Sequence, residues 1–221
     1  MIQVRNFCAS IVLLNSCVAL GVVVPFTEQF SSSGANWSSS SVFTPLNYPS
    51  SGGPDGSAFG SQNFSFANQA AFNQPILFRG QSNFNSSGNA FVGDWISAGV
   101  TTVSFDVRHN ASAPIDFFVR FAPAFGAGVV GLFSAPVQPG VWTTLSFSVN
   151  SSNPQIIYEG TTFATFSSIA RTQVGILVPQ SLAGNQSSFS FDIDNFSVVP
   201  APSALALLVS GSCLATRRRR R

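Results

Sequence analysis

Apolar and polar residues alternate with a period of two through the middle of the chain. In Thr101–His109, Val103, Phe105 and Val107 fall on one side and Ser104, Asp106 and Arg108 on the other, the pattern of a strand with one buried face. Pro114–Phe121 repeats it with Ile115, Phe117, Val119 and Phe121. The break from Asn110 to Pro114 predicts a β-hairpin, in which Arg108 pairs with Asp116 and Asp106 lies diagonal to Arg120, so that the outer charges complement one another. Leu145, Phe147 and Val149 predict a further strand after Gly140 and Trp142, and Val174, Ile176 and Val178 predict another. The last strand begins with Phe189, Phe191 and Ile193 inward, but Phe196 and Val198 have the opposite parity. One extra residue near Asp194 and Asn195, a β-bulge, reconciles the two halves. Phe26–Phe30 predicts a first strand. Thr44–Ser61, carrying Pro45, Pro49, Gly52, Gly53, Pro54 and Gly56, predicts a long solvated loop. No helical period is sustained between the two ends of the chain. Eight or more short strands separated by Gly, Pro and Asn turns predict an all-β fold, an antiparallel β-sandwich of jelly-roll-like type over residues 22–199.

The ends follow a different pattern. Arg5 precedes two apolar runs, IVLL and VALGVVV, and Ala19 and Gly21 supply small residues, so residues 1–21 read as a secretory signal. At the other end Pro200 and Pro202 precede an apolar segment, Ala204–Ala215, and then five arginines, Arg217, Arg218, Arg219, Arg220 and Arg221. A basic cluster directly after an apolar segment acts as a membrane stop.

These ends also correct the overall charge. The chain of 221 residues carries 10 basic and 8 acidic residues, formally +2. All ten basic residues are arginine, and six of them lie in the end segments, which leaves 4 against 8 acids in the domain between. An acidic domain argues against reading the terminal arginines as a nucleic-acid patch. Cys8, Cys17 and Cys213 all fall in the end segments too, so the domain has neither a disulfide framework nor a cysteine metal site.

The terminal layout resembles the PEP-CTERM sorting tail of exported bacterial proteins. Pro200, Pro202, the apolar run and the arginine cluster match it, while Ala201 stands where the family signature has glutamate. The resemblance implies export, a hold in the membrane through residues 200–221, an exosortase-type sorting protease as partner, and delivery to the cell surface or matrix. The apolar run is short: at ~1.5 Å per residue it reaches about 21 Å of a ~30 Å hydrocarbon core. Within the domain, TEQF with Trp37, the Val141–Thr144 strand start and the closing FDIDNFSVV look like the frame of carbohydrate-binding jelly rolls. That frame implies polysaccharide as a partner. It also implies terminal strands that run side by side, which brings Glu28 towards Asp192 and Asp194 as candidate ligands of a structural calcium ion.

The remaining chemistry is sparse. His109 is the single histidine and is expected at a turn, and no G-x-S-x-G elbow or reactive cysteine accompanies it, so a catalytic triad has no basis. Phosphate-loop, HExxH and EF-hand patterns are absent. The carboxylates are expected as outward strand and turn residues. The expectation is therefore a non-catalytic protein, with a glycan hydrolase or lyase on the same fold as the alternative. Asp94 beside Trp95 is the candidate sugar-contacting pair, since a carboxylate can hydrogen-bond and an indole can stack. Trp37, Trp95 and Trp142 equally suit the core.

Overall fold

A computed structural model describes residues 21–201. Residues 1–20 of the expected signal segment, Pro202, the apolar run Ala204–Ala215 and Arg217–Arg221 lie outside the described residues. Among the described residues no helix is long and apolar enough to cross a membrane.

Ten strands form two antiparallel five-stranded sheets. They are β1 (Phe26–Glu28), β2 (Gly60–Ser65), β3 (Ile76–Gln81), β4 (Val100–His109), β5 (Asp116–Ala122), β6 (Val129–Leu132), β7 (Thr143–Ser148), β8 (Ile156–Tyr158), β9 (Arg171–Leu177) and β10 (Ser188–Pro200). The first sheet runs β1–β10–β4–β7, with β2 pairing the other half of β10, and the second runs β3–β9–β5–β6–β8. The chain crosses repeatedly between them, as the jelly-roll-like β-sandwich expected from the alternation requires. The inward residues of β4 and β5, Val103, Phe105, Val107, Phe117, Val119 and Phe121, are buried in one core with Trp37, Trp95, Phe147, Phe166 and Phe196.

The hairpin is corrected. β4 lies in the first sheet between β10 and β7, and β5 lies in the second between β9 and β6. The two strands face one another across the core, an arrangement that produces the same inward alternation as a hairpin. Arg108 therefore pairs with Asp192, at 2.8 Å, and Arg120 with Glu159, at 2.7 Å. His109 is corrected as well. It closes β4 rather than a turn, is buried against Phe117 and Phe191, and contacts the Val137 carbonyl through Nε2 at 3.0 Å. Burial lowers its pKa, so the ring is held neutral.

The parity change in β10 is a bulge at the expected place. The pairing with β4 shifts register between Asp194 and Ser197, and Asn195 adopts a left-handed φ of 49°, a conformation asparagine tolerates better than most residues. β10 also continues through Pro200, and the Ala201 amide donates to the Gly99 carbonyl at 2.9 Å. The strand thus runs one residue past the boundary expected at 199.

Candidate functional site

Much of Thr44–Gly56 is exposed, as a solvated loop should be, but the stretch also lies against the outer face of the first sheet and runs into β2 at Gly60. Leu46, Ala58 and Phe59 are buried, and the Trp142 indole donates to the Gly52 carbonyl at 3.0 Å. Arg108 sits over both Phe59 and Trp142, with its guanidinium carbon 5.1 and 4.6 Å from the ring centres. Its Nη1 donates to the Gly52 carbonyl at 3.1 Å and its Nε to Asp192 at 2.9 Å. The chain itself covers the Arg108–Asp192 end of this face, while Thr144, Ser146, Ser148 and Val199 farther along it are exposed.

The residues expected to bind metal are not brought together here. β1 does pair with β10, Glu28 opposite Phe196. Glu28 nevertheless accepts the Phe30 amide at 2.8 Å, while Asp192 is held by Arg108 and by the Ser61 hydroxyl at 2.6 Å. Among the described residues no group of three or more His, Cys, Asp or Glu side chains is placed to hold a metal ion. Asp194 is fully buried and lies opposite Asp106 in the β10–β4 register. The bulge turns Asn195 so that its amide donates to Asp106 at 2.8 Å. Asp194 Oδ1 accepts the Asn195 amide at 2.8 Å, whereas Oδ2 is buried outside hydrogen-bonding geometry with any donor.

Burial, reinforced by the charges of Asp55 and Asp106, pushes the Asp194 carboxyl up to about 6, against the opposing pull of the Asn195 amide and the nearby Ser57 hydroxyl. A raised folded-state pKa gives stability that is present below the ordinary carboxylate range and lost as pH rises through about 6. Asp194→Asn is therefore expected to stabilise the protein by on the order of 2 kcal/mol at pH 7.5 and by little at pH 3. Urea unfolding at both pH values measures this, and the contribution of His109, common to variant and parent, cancels. An equal difference at the two pH values would refute it.

The sugar-contacting pair is also corrected. Trp95 is fully buried, stacks on Phe166 at 6.0 Å and donates its indole N–H to the Phe91 carbonyl at 2.7 Å. Asp94 accepts the Ser97 amide at 2.9 Å and the Ser97 hydroxyl at 2.6 Å, which shapes the turn into β4 and lowers its pKa. Trp37 is buried likewise. Neither indole has a face free for a ligand, while Asp94 stays partly exposed.

The outer face of the second sheet carries a groove. Strand register lays Arg79 (β3), Gln173 (β9), Arg120 (β5), Val130 (β6) and Ile157 (β8) in one row across all five strands. Ile76, Gly175, Phe118 and Leu132 form the next row. Gly175 is required there: a Cβ would stand 2.4 Å from the Phe118 ring and 2.7 Å from the Pro75 carbonyl. The two rows floor a groove with two adjoining halves that share Gln74, Phe118, Val130 and Glu159. The apolar half, about 390 Å³, adds Leu132, Phe133, Ile157 and Leu177, with Asp116 at its edge. The other half, about 360 Å³, adds Arg79, Arg120, Arg171 and Gln173.

Arg120 grips Glu159 with Nε at 2.8 and 3.0 Å and gives Nη1 to the Gln173 side chain at 2.9 Å. Glu159 also accepts the Gly128 amide at 2.8 Å, and the Arg120 hydrogen bond leads in holding its pKa below the ordinary range. Two exposed rings, Phe125 and Phe72, sit in loops at opposite ends of this sheet. The Phe125 loop carries the carbonyls of Pro123 and Gly126 that hold Arg171, and Phe72 donates its amide to Val178. Each groove arginine stands at an outward strand position in the sequence. Their adjacency depends on strand order, which alternation does not encode.

No protein-family model matches the sequence, and no curated protein matches it either. Among solved structures the chain is similar to an exo-β-agarase, 11% identical with a TM-score of 0.53, over 81% of this chain and 26% of that one. It is also similar to the CBM22–GH10 modules of a Clostridium thermocellum endo-1,4-β-D-xylanase complexed with xylohexaose, at 13% identity and a TM-score of 0.47 over 80% of this chain and 28% of that one. A CBM22 xylan-binding domain from Paenibacillus barcinonensis is 14% identical with a TM-score of 0.46, over 82% of this chain and 98% of the domain. The chain spans about a quarter of the agarase and of the xylanase chains. At these identities the likeness is one of fold, a β-sandwich.

Proposed function

We propose that this chain is an exported, non-catalytic surface or matrix protein whose β-sandwich holds polysaccharide along the groove of the second sheet. The observation that carries the reading is the groove itself. Five strands spaced about 4.8 Å apart make a floor broad enough for several sugar rings. That floor offers apolar side chains for ring faces, amides and an ion pair for hydroxyls, and an exposed phenyl at either end. The terminal layout, Pro200-Ala201-Pro202 followed by the apolar run and the arginines, supports export, a membrane hold and an exosortase-type partner.

A second reading, a glycan hydrolase or lyase, is favoured by one feature: Asp116 and Glu159 both line the apolar half. Against it, Glu159 is held as an anion by Arg120 and the Gly128 amide, which suits an anchor better than a proton donor.

One experiment tests both parts. The full chain is expressed with both ends intact, and the exported product, its termini read by mass spectrometry, is run through gels containing xylan, agarose or polygalacturonate. Retardation by at least one gel, weakened several-fold by Phe125→Ala, is expected, with no release of reducing ends. A cytosolic product, or unretarded migration in all three gels, refutes the proposal. Reducing ends whose release is lost in Asp116→Asn and Glu159→Gln would favour the enzyme.

A further inference from the structure

We infer that the groove selects an anionic polysaccharide, one bearing uronate or sulfate groups, and that Arg79 meets the charged group. The inference rests on the glycan-binding reading of the groove and adds its substrate class.

The first observation is one of placement. The described domain contains four arginines and no lysine. Three of the four, Arg79, Arg120 and Arg171, line the same half of one groove, in a domain whose acids outnumber its bases. Register makes this a built arrangement. Arg79 and Arg120 flank Gln173 on the strands either side of it, and Arg171 lies two residues along β9 on the same face. Side chains on one face of adjacent strands stand about 5 Å apart and those two residues along a strand about 7 Å apart, so the three guanidinium groups share one short stretch of surface.

The second observation is how little offsets them. Glu159 is the one carboxylate in this half of the groove, and Arg120 takes it bidentately. Arg171 is bound through neutral carbonyls, of Pro123 at 2.7 Å and Gly126 at 2.8 Å. Arg79 makes no side-chain hydrogen bond among the described residues, and its Nε is buried without an acceptor. Neither Arg79 nor Arg171 has a carboxylate at ion-pair distance, although the charge of Glu159 acts on Arg171. Burial first, and the charge of Arg120 second, lower the pKa of both Arg79 and Arg171, with Glu159 opposing at Arg171. An anionic group between Arg79 and Arg171 adds the negative charge these guanidinium groups lack, through charge-assisted bonds stronger than a neutral hydroxyl makes. The apolar half adjoining it, with Leu132 and Ile157 exposed, offers surface to uncharged ring faces, which distinguishes a sugar chain from a polyanion that is charged at every step.

The test is affinity electrophoresis of the full chain at fixed ionic strength through gels containing polygalacturonate, dextran sulfate, xylan, agarose or single-stranded DNA. Retardation by polygalacturonate or dextran sulfate, with xylan and agarose weaker, is expected, and whichever acidic gel retards more identifies carboxylate or sulfate as the anion. Arg79→Gln is expected to weaken the acidic interaction by about tenfold or more. Arg171→Gln is a second variant that serves if the first unfolds, with circular dichroism reporting folding. Retardation by neutral gels that survives both substitutions overturns the anionic selectivity but keeps the glycan site. Migration unretarded in every gel overturns both. Retardation by DNA equal to that by the acidic glycans also overturns the inference, because the groove is then a general polyanion patch.

Discussion

Replacing Arg108 with methionine is expected to cost about 3–5 kcal/mol of unfolding free energy. The size of the effect follows from what is left behind. Asp192 is nearly buried in the first sheet and would keep only the Ser61 hydroxyl, at 2.6 Å. The substitution also removes the guanidinium that sits over Phe59 and Trp142 and that bonds to the Gly52 carbonyl, so the 44–61 segment loses part of its attachment. A surface ion pair would cost under about 1 kcal/mol. Urea unfolding therefore decides between the two, and a loss under about 1 kcal/mol would mean that the pair is screened by water. The double variant Arg108→Met with Asp192→Asn should recover much of the loss, because an unpaired buried charge costs more than the missing pair itself.

Trp37→Ala is expected to cost a similar amount, about 3–5 kcal/mol. Trp37 is fully buried and meets Phe196 at 5.1 Å, Phe30 at 5.7 Å and Phe91 at 6.0 Å. Its indole donates to the Ser87 hydroxyl at 2.8 Å, and Gly80 packs so close that a Cβ would stand 2.8 Å from the ring. The neighbours are therefore shaped to an indole and can close only part of the cavity an alanine leaves. Trp37→Phe should cost clearly less, since most of the volume stays. Equal losses for the two variants would show that the hydrogen bond to Ser87, and not the packing, holds this corner. Either loss is a large share of the 5–15 kcal/mol that separates folded from unfolded domains.

Which parts of this molecule could be read from its sequence follows from what alternation records. Alternation records which side of a strand meets the core, so Val103, Phe105, Val107, Phe117, Val119 and Phe121 were all assignable, and the parity change after Ile193 located the bulge at Asp194 and Asn195. Alternation does not record the neighbour. Residues facing inward from β4 and β5 look the same whether the strands adjoin in one sheet or oppose one another in two. The ion-pair partners were misassigned for that reason: Arg108 finds Asp192 and Arg120 finds Glu159, both far along the chain. The groove was hidden in the same way, because Arg79, Arg120 and Arg171 each read as one outward residue on a separate strand. Asp94 and Trp95 misled through composition. A carboxylate beside an indole resembles a sugar site, but here the carboxylate shapes a turn and the indole fills the core.

The pairing of β10 sets how the domain would respond to being pulled. β10 is bonded to β4 along one edge and to β2 and then β1 along the other, and its last residues lead into the tail through the Ala201 amide held by Gly99. Tension entering at residue 201 runs along the strand, so the ladders on both edges are strained in shear and many hydrogen bonds resist at once. An edge strand pulled from its end across the ladder would instead open one bond at a time. Rupture under force is a matter of unfolding rate and not of equilibrium stability. Force entering through this longest, doubly bonded strand is thus met by many hydrogen bonds at once.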